Sequence, residues 1–263
     1  MLLIEEKRIP INIKTVPMRS YGDKPREFLQ MVPNGLLPAL VIQDHDNSNQ
    51  KRVMTESQRI MEFLDQQHPQ ALGYPTMLPT DPKEQLRYEY LVQLERNLFG
   101  CWCNLVFRPE PRTTANSNMS PSMSRFMDCL DQVNQALNET DGPWFFDFRK
   151  DGPTMIDFIY ISHVERMLAS CAYWKGLDIR SPTYGSRWNA IQTWLNAFDQ
   201  RPSYLGFKSD YYTNVMVSKL IFYDCFRYVL LGSYSHRYIY NSLFRIYHHN
   251  MDLVTMVVLS QIV

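Results

Sequence analysis

The stretch GLLPALVI, residues 35–42, constrains this chain more than any other. Leu40, Val41 and Ile42 have the character of a buried strand, yet Pro38 stands at its mouth. Proline cannot donate to a ladder and is confined to edges, strand starts and bulges. Strand stability therefore does not explain Pro38. Two readings fit it: a cis Leu37–Pro38 bond placed by design, or an ordinary trans proline at a strand edge. The cis form would turn the backbone of Leu37 outward, where it could pair with an extended peptide as one strand pairs with another.

The surrounding pattern is a small α/β unit. LLIEEK (2–7) reads as the last turns of a helix. IPINIKTV (9–16) alternates and reads as a strand, DKPREFLQMV (23–32) as a short helix, LPALVIQ (37–43) and RVMT (52–55) as strands. ESQRIMEFLDQ (56–66) places Ile60, Met61, Phe63 and Leu64 on one helical face. A linker with four prolines, 67–82, then sets a domain boundary near 78. Beyond it the 3–4 spacing predicts helices over 83–107, 122–138, 154–171 and 185–199. Domains are thus expected at 1–78 and 79–213, with 214–263 an anomalous tail. All 16 prolines precede that tail, and charges interrupt each of its apolar runs. It is open to three readings: extra helices, a partner-binding tail, or translation past the proper end of an exon.

Composition excludes several classes. The formal net charge is zero over 263 residues, which offers no footprint for nucleic acid or an anionic membrane. No run of 18 uncharged apolar residues predicts a membrane span. Five cysteines, at 101, 103, 129, 171 and 225, match no metal spacing and point to reduced, intracellular thiols. No metal or disulfide is expected between Cys101 and Cys103, since i and i+2 diverge on a helix.

TES at 55–57 opens a helix directly after a strand. Glu56 and Ser57 fall in its first turn, where free N–H groups and the dipole favour a bound carboxylate. Ser57 suits a carboxylate and Glu56 an ammonium, the two ends of an α-amino acid. Helix capping is the alternative role for the same pair.

The string EEKRIPINI…YGDKPREFLQMVPNGLLPAL…TESQRIMEFL resembles the thioredoxin-like N-terminal domain of a cytosolic glutathione transferase. GPTMIDF (152–158) resembles that family's helix-six capping box, with Thr154 at N-cap and Asp157 at N3. ERMLASCAYWKGLDIR and RWNAIQTWLNAFDQRPSYLGFKSDYYT resemble the closing helices of its cysteine-using branch. That branch holds omega, lambda, dehydroascorbate-reductase and iota types, and iota is the most similar. The resemblance covers about residues 1–213. It implies an α+β chain, a thioredoxin-like domain followed by an all-helical one, and glutathione as co-substrate with no metal. Leu37, before Pro38, would pair its backbone with the cysteinyl unit, and Glu56 and Ser57 would hold the γ-glutamyl end. Lys24 would meet the glycine carboxylate, or else be a solvated surface lysine.

The second substrate, a small electrophile or disulfide, would meet Phe99, Trp102, Tyr160, His163 and Arg166. Core packing is the alternative for these five. His248 and His249 suggest no site. The resemblance further implies a cytoplasmic protein and a possible homodimer, with organellar targeting left open.

Two departures shape the expectation. The branch's catalytic cysteine, in a Cys-Pro-x-Cys type motif, would lie upstream of Met1, as would the first, central strand. IPINIKTV is then expected to be detached or mispaired, in a marginal unit. The resemblance also stops at Asn214. Missing start and foreign end suggest an incomplete gene model. Glutathione-dependent thiol transfer, reduction or conjugation is the function implied for a complete form. A non-catalytic binding or scaffolding module is the alternative.

Overall fold

The computed structural model describes residues 1–16, 23–43, 51–108, 119–216 and 256–261. These divide into two compact units. One holds Leu3–Pro75 with the strand Met256–Gln261, and the other begins at Thr76.

The first unit is thioredoxin-like. Its elements are α1 (Leu2–Lys7), β1 (Asn12–Thr15), α2 (Arg26–Met31), β2 (Ala39–Gln43), β3 (Lys51–Thr55) and α3 (Ser57–Gln67). A fourth strand, β4 (Met256–Gln261), comes from the far end of the chain. The sheet order is β1-β4-β2-β3. β4 runs antiparallel to β1, with Ile13 opposite Val258, and parallel to β2, with Leu40 opposite Val258. β2 and β3 pair antiparallel from Ala39↔Thr55 to Gln43↔Lys51.

This arrangement corrects the expectation that 9–16 lacks a neighbour. Residues 12–15 are paired, and the partner is a segment of the tail for which no period was legible. The strand is also shorter than the alternation implied. All four β1 residues are exposed, while the flanking Ile9 and Val16 are buried. β2 is the buried strand. Ala39 and Val41 join Val16, Phe28, Val32 and Leu37 in one cluster, with Met31 and Val53 against it. Leu40 and Ile42, 0% and 5% exposed, point to the opposite face of the pleat; α3 packs on β2 and β3, and its Ile60 and Leu64 are buried.

A buried ion pair ties the helices of this unit. Lys7 at the end of α1 is 2% exposed and its Nζ binds the Asp65 carboxylate of α3. Sequence reasoning passed over Lys7, because a lysine in the last turn of a helix ordinarily faces solvent and complements the dipole.

The second unit is helical: α4 (Pro82–Phe107), α5 (Pro121–Asn138), α6 (Met155–Lys175), α7 (Asn189–Asp199) and the short α8 (Pro202–Leu205). Local chemistry sets the starts. Asp81 accepts from the N–H groups of Lys83 and Glu84, with Pro82 at the first helical position. Ser120 does the same for Met123, ahead of Pro121. α6 ends on Gly176 at φ 65, the left-handed conformation that favours glycine. α7 begins at Asn189 rather than near 185, because 182–184 wind as a 3₁₀ turn capped by the Ser181 hydroxyl. Trp102, Trp188, Trp194, Phe126 and Phe198 fill the core.

No described helix is long and apolar enough to cross a membrane. The anomalous tail lies outside the described residues except for 214–216 and β4, and His248 and His249 lie outside them too.

Candidate functional site

The first unit brings together the residues expected to hold a peptide-like ligand. The Leu37–Pro38 peptide bond is cis, directly ahead of β2. At the far end of β3, the antiparallel partner of β2, the chain turns sharply into α3. Glu56 makes this turn at φ 75 and ψ 110, one of two described non-glycine residues with positive φ. Holding a side chain there costs of order 1–3 kcal/mol, and such strain concentrates at ligand sites. Ser57 is the first helical residue. The two β2–β3 register pairs nearest this turn are Ala39↔Thr55 and Leu40↔Met54. The sheet therefore places the start of β2 beside the start of α3.

Capping was the competing role for Glu56 and Ser57, and the geometry does not carry it. α3 has no side-chain hydrogen bond at its N-terminus among the described residues. α4 and α5, by contrast, are capped by Asp81 and Ser120. The first-turn N–H groups of α3 are therefore not capped by a side chain, and Glu56 and Ser57 stand at that end of the helix.

Lys24 lies on the same unit. Its Nζ donates to the Gly35 carbonyl at 2.8 Å and sits 5.7 Å from the Phe28 ring centroid. Gly35 adopts φ 64, and its Cα faces the Lys24 stem. Lys24 is thus half-buried against the turn before Leu37, not a freely solvated side chain.

The five candidates for a second substrate divide between buried and partly exposed positions of the helical unit. Trp102 is 0% exposed and donates through Nε1 to Ser170 Oγ at 2.8 Å. Tyr160 is 1% exposed, donates to the Leu91 carbonyl at 2.8 Å and lies 4.6 Å from the Phe145 ring. Burial pushes the Tyr160 phenol well up from its ordinary range. Both are core residues of the helical unit, and the expectation that they face substrate is corrected. The i, i+3 spacing of Tyr160 and His163 does put them on one face, but that face packs on α4. There His163 Nδ1 bonds the buried Glu95 carboxylate. Phe99, with its ring 4.9 Å from His163, and Arg166 are the partly exposed members beside it.

Thr154 and Asp157 form a capping box at the start of α6. The Asp157 carboxylate also accepts from Trp194 Nε1 at 2.8 Å and from the Phe145 N–H at 3.3 Å. Complete burial pushes this carboxyl up against the pull of those donors. The residue is structural, a pin joining α6, α7 and the 144–146 segment. No group of described residues could hold a metal ion.

Comparison with known proteins bears on the fold. Residues 1–67 match the family model described as glutathione S-transferase, N-terminal domain. No curated protein sequence matches the chain. Among solved structures, it is similar to TDR1, a trimeric glutathione transferase of Leishmania, at 20% identity and TM-score 0.61. That match covers 82% of this chain and 44% of the other, so this chain spans less than half of that protein's length. It is also similar to a tau-class glutathione S-transferase from mango, Mangifera indica, at 12% identity and TM-score 0.61, covering 83% and 90% of the two chains. A third is glutathione transferase Omega 3C from Trametes versicolor, at 21% identity, TM-score 0.58 and 83% coverage of each chain. At these identities the likeness carries the fold. The family match on the first 67 residues and the shared fold make this chain similar to glutathione S-transferases.

Proposed function

We propose that the first unit binds glutathione, and that the protein acts as a glutathione transferase with thiol-transfer, reductase or conjugating activity. The observation that carries this reading is the start of α3: Glu56 held at positive φ, Ser57 beside it, and no side-chain cap. In this reading Ser57, through its hydroxyl and N–H, takes the γ-glutamyl carboxylate. Glu56 accepts from the ammonium group. The backbone of Leu37, next to Pro38, pairs with the cysteinyl unit. Lys24 faces the glycine carboxylate, its ammonium oriented by the bond to Gly35. The second substrate is a small electrophile or disulfide. A cytoplasmic homodimer of domains 1–78 and 79–213 completes the reading by resemblance.

A second reading is glutathione binding without thiol catalysis. Fold alone does not fix function, and the same fold can bind a ligand without acting on it. Calorimetry with reduced glutathione on the full chain tests the shared claim. Ser57→Ala removes a hydrogen bond to a charged group, so affinity should fall roughly 10–100-fold. Equal affinity in the variant, or no heat with the wild type, refutes it. Glutathione-dependent reduction of a small disulfide by the same preparation then separates the two readings: turnover supports the enzyme, binding without turnover the module.

A further inference from the structure

The helical unit holds a thiol pair that the glutathione reading does not use. Cys101 on α4 and Cys129 on α5 lie with their sulfurs 3.2 Å apart, the Cys129 thiol donating to Cys101. They are 28 positions apart in sequence and meet because α4 packs on α5. Cys101 is partly exposed, whereas Cys129 is 9% exposed. We propose that Cys101 and Cys129 are a redox dithiol, which a low-molecular-weight disulfide oxidises to an interhelical disulfide.

The pair divides the labour of exchange. Cys101 is the accessible sulfur and accepts a hydrogen bond, which favours its thiolate. The Cys129 bond, and to a lesser degree the Arg125 guanidinium, bring the Cys101 thiol down to about 7, against opposition from burial and Asp128. The same bond, with burial, pushes the Cys129 thiol up. Cys171 differs: burial pushes it up to about 12, and its Sγ is fully covered.

In the first step the Cys101 thiolate attacks one sulfur of R–S–S–R, forming Cys101–S–S–R and expelling R–S⁻, which takes the proton Cys101 lost. In the second, Cys129 gives up its proton and attacks Cys101 Sγ. The bond between Cys101 Sγ and the sulfur of R breaks, a second R–S⁻ leaves and takes that proton, and the protein disulfide forms. Two thiols are oxidised and one external disulfide is reduced to two thiols. The sulfurs need approach by only about 1 Å to bond. The proposal rests on α4 and α5 alone, so it stands or falls separately from glutathione binding by the first unit.

The test incubates the full chain with excess glutathione disulfide, quenches with an alkylating agent and maps cysteines by mass spectrometry. The expected wild-type product is a Cys101–Cys129 cross-link with release of two glutathiones per chain. Cys103→Ser should give the same cross-link. Cys129→Ser should stop at a glutathionyl mixed disulfide on Cys101. Alkylation of Cys101 in the wild type should accelerate through a midpoint near pH 7. Three results would overturn the proposal: no thiol loss in a chain still folded by tryptophan fluorescence, a persistent mixed disulfide on wild-type Cys101, or a cross-link that involves Cys103.

Discussion

Removing β4 should unfold the first unit and leave the second intact. β4 makes four register pairs with β1 and five with β2. With about one ladder bond per pair and about 1 kcal/mol net per bond, its backbone pairing is worth on the order of 5–10 kcal/mol. A whole domain is stable by only about 5–15 kcal/mol. Without β4, β1 has no sheet neighbour and β2 loses one edge of its ladder, although Ala39–Ile42 are at most 5% exposed. The perturbation is deletion of residues 256–263, with Val258→Pro as a single-site version. Val258 is the register partner of both Ile13 and Leu40, and proline there removes a ladder donor. The two units can be read separately, because all five tryptophans, at 102, 144, 174, 188 and 194, belong to the helical unit. Amide exchange of 39–43 should speed up by roughly 10³-fold or more in the deletion, as a loss above about 4 kcal/mol requires. The urea transition followed by tryptophan fluorescence should not move. Wild-type protection of 39–43 in the deleted chain would refute the reasoning, and so would a shifted tryptophan transition.

Other substitutions address single contacts. Lys7→Met strands the Asp65 carboxylate in the interior and should cost roughly 3–5 kcal/mol, read from exchange in the first unit. Adding Asp65→Leu should restore most of that loss. Tyr160→Phe removes the bond to the Leu91 carbonyl and should cost about 0.5–1.5 kcal/mol in the tryptophan transition while leaving any glutathione-dependent turnover unchanged. Asp131 on α5 accepts from Nε and Nη2 of Arg187 and from Trp188 Nε1. The Arg187 hydrogen bond holds its carboxyl below the ordinary 3.8. A depressed carboxyl stabilises the fold above its unfolded value, and that contribution is lost as pH falls through the lowered folded value. Both side chains are about 40% exposed, so the effect should stay under about 1 kcal/mol and shrink in salt. Asp131→Asn should abolish it in acid titrations of stability.

The helical unit was largely legible in the sequence, because burial on one face leaves a 3–4 spacing that survives local detail. Pro38 and the TES turn were legible for a different reason. Proline and first-turn polar residues act through backbone chemistry that the sequence states directly. What escaped were contacts between distant residues. β4 carries no readable period, and its place depends on pairing with residues 218–247 positions earlier. Cys101 and Cys129 meet only through helix packing, as do Lys7 and Asp65. Trp102 and Tyr160 were read toward substrate because aromatic residues on a helix look alike whether they line a cleft or a core. Their Nε1 and phenol groups find partners at Ser170 and Leu91, which no spacing rule contains. The strain at Glu56 is likewise a property of φ, invisible in residue type.

The most direct test of glutathione binding at the start of α3 is a titration of the full ¹⁵N-labelled chain with reduced glutathione, following the Leu37 and Ser57 amides. Glutathione bound there should give saturable shifts at both, lost together in Ser57→Ala. Shifts confined to the helical unit, or none at saturating glutathione, would contradict it.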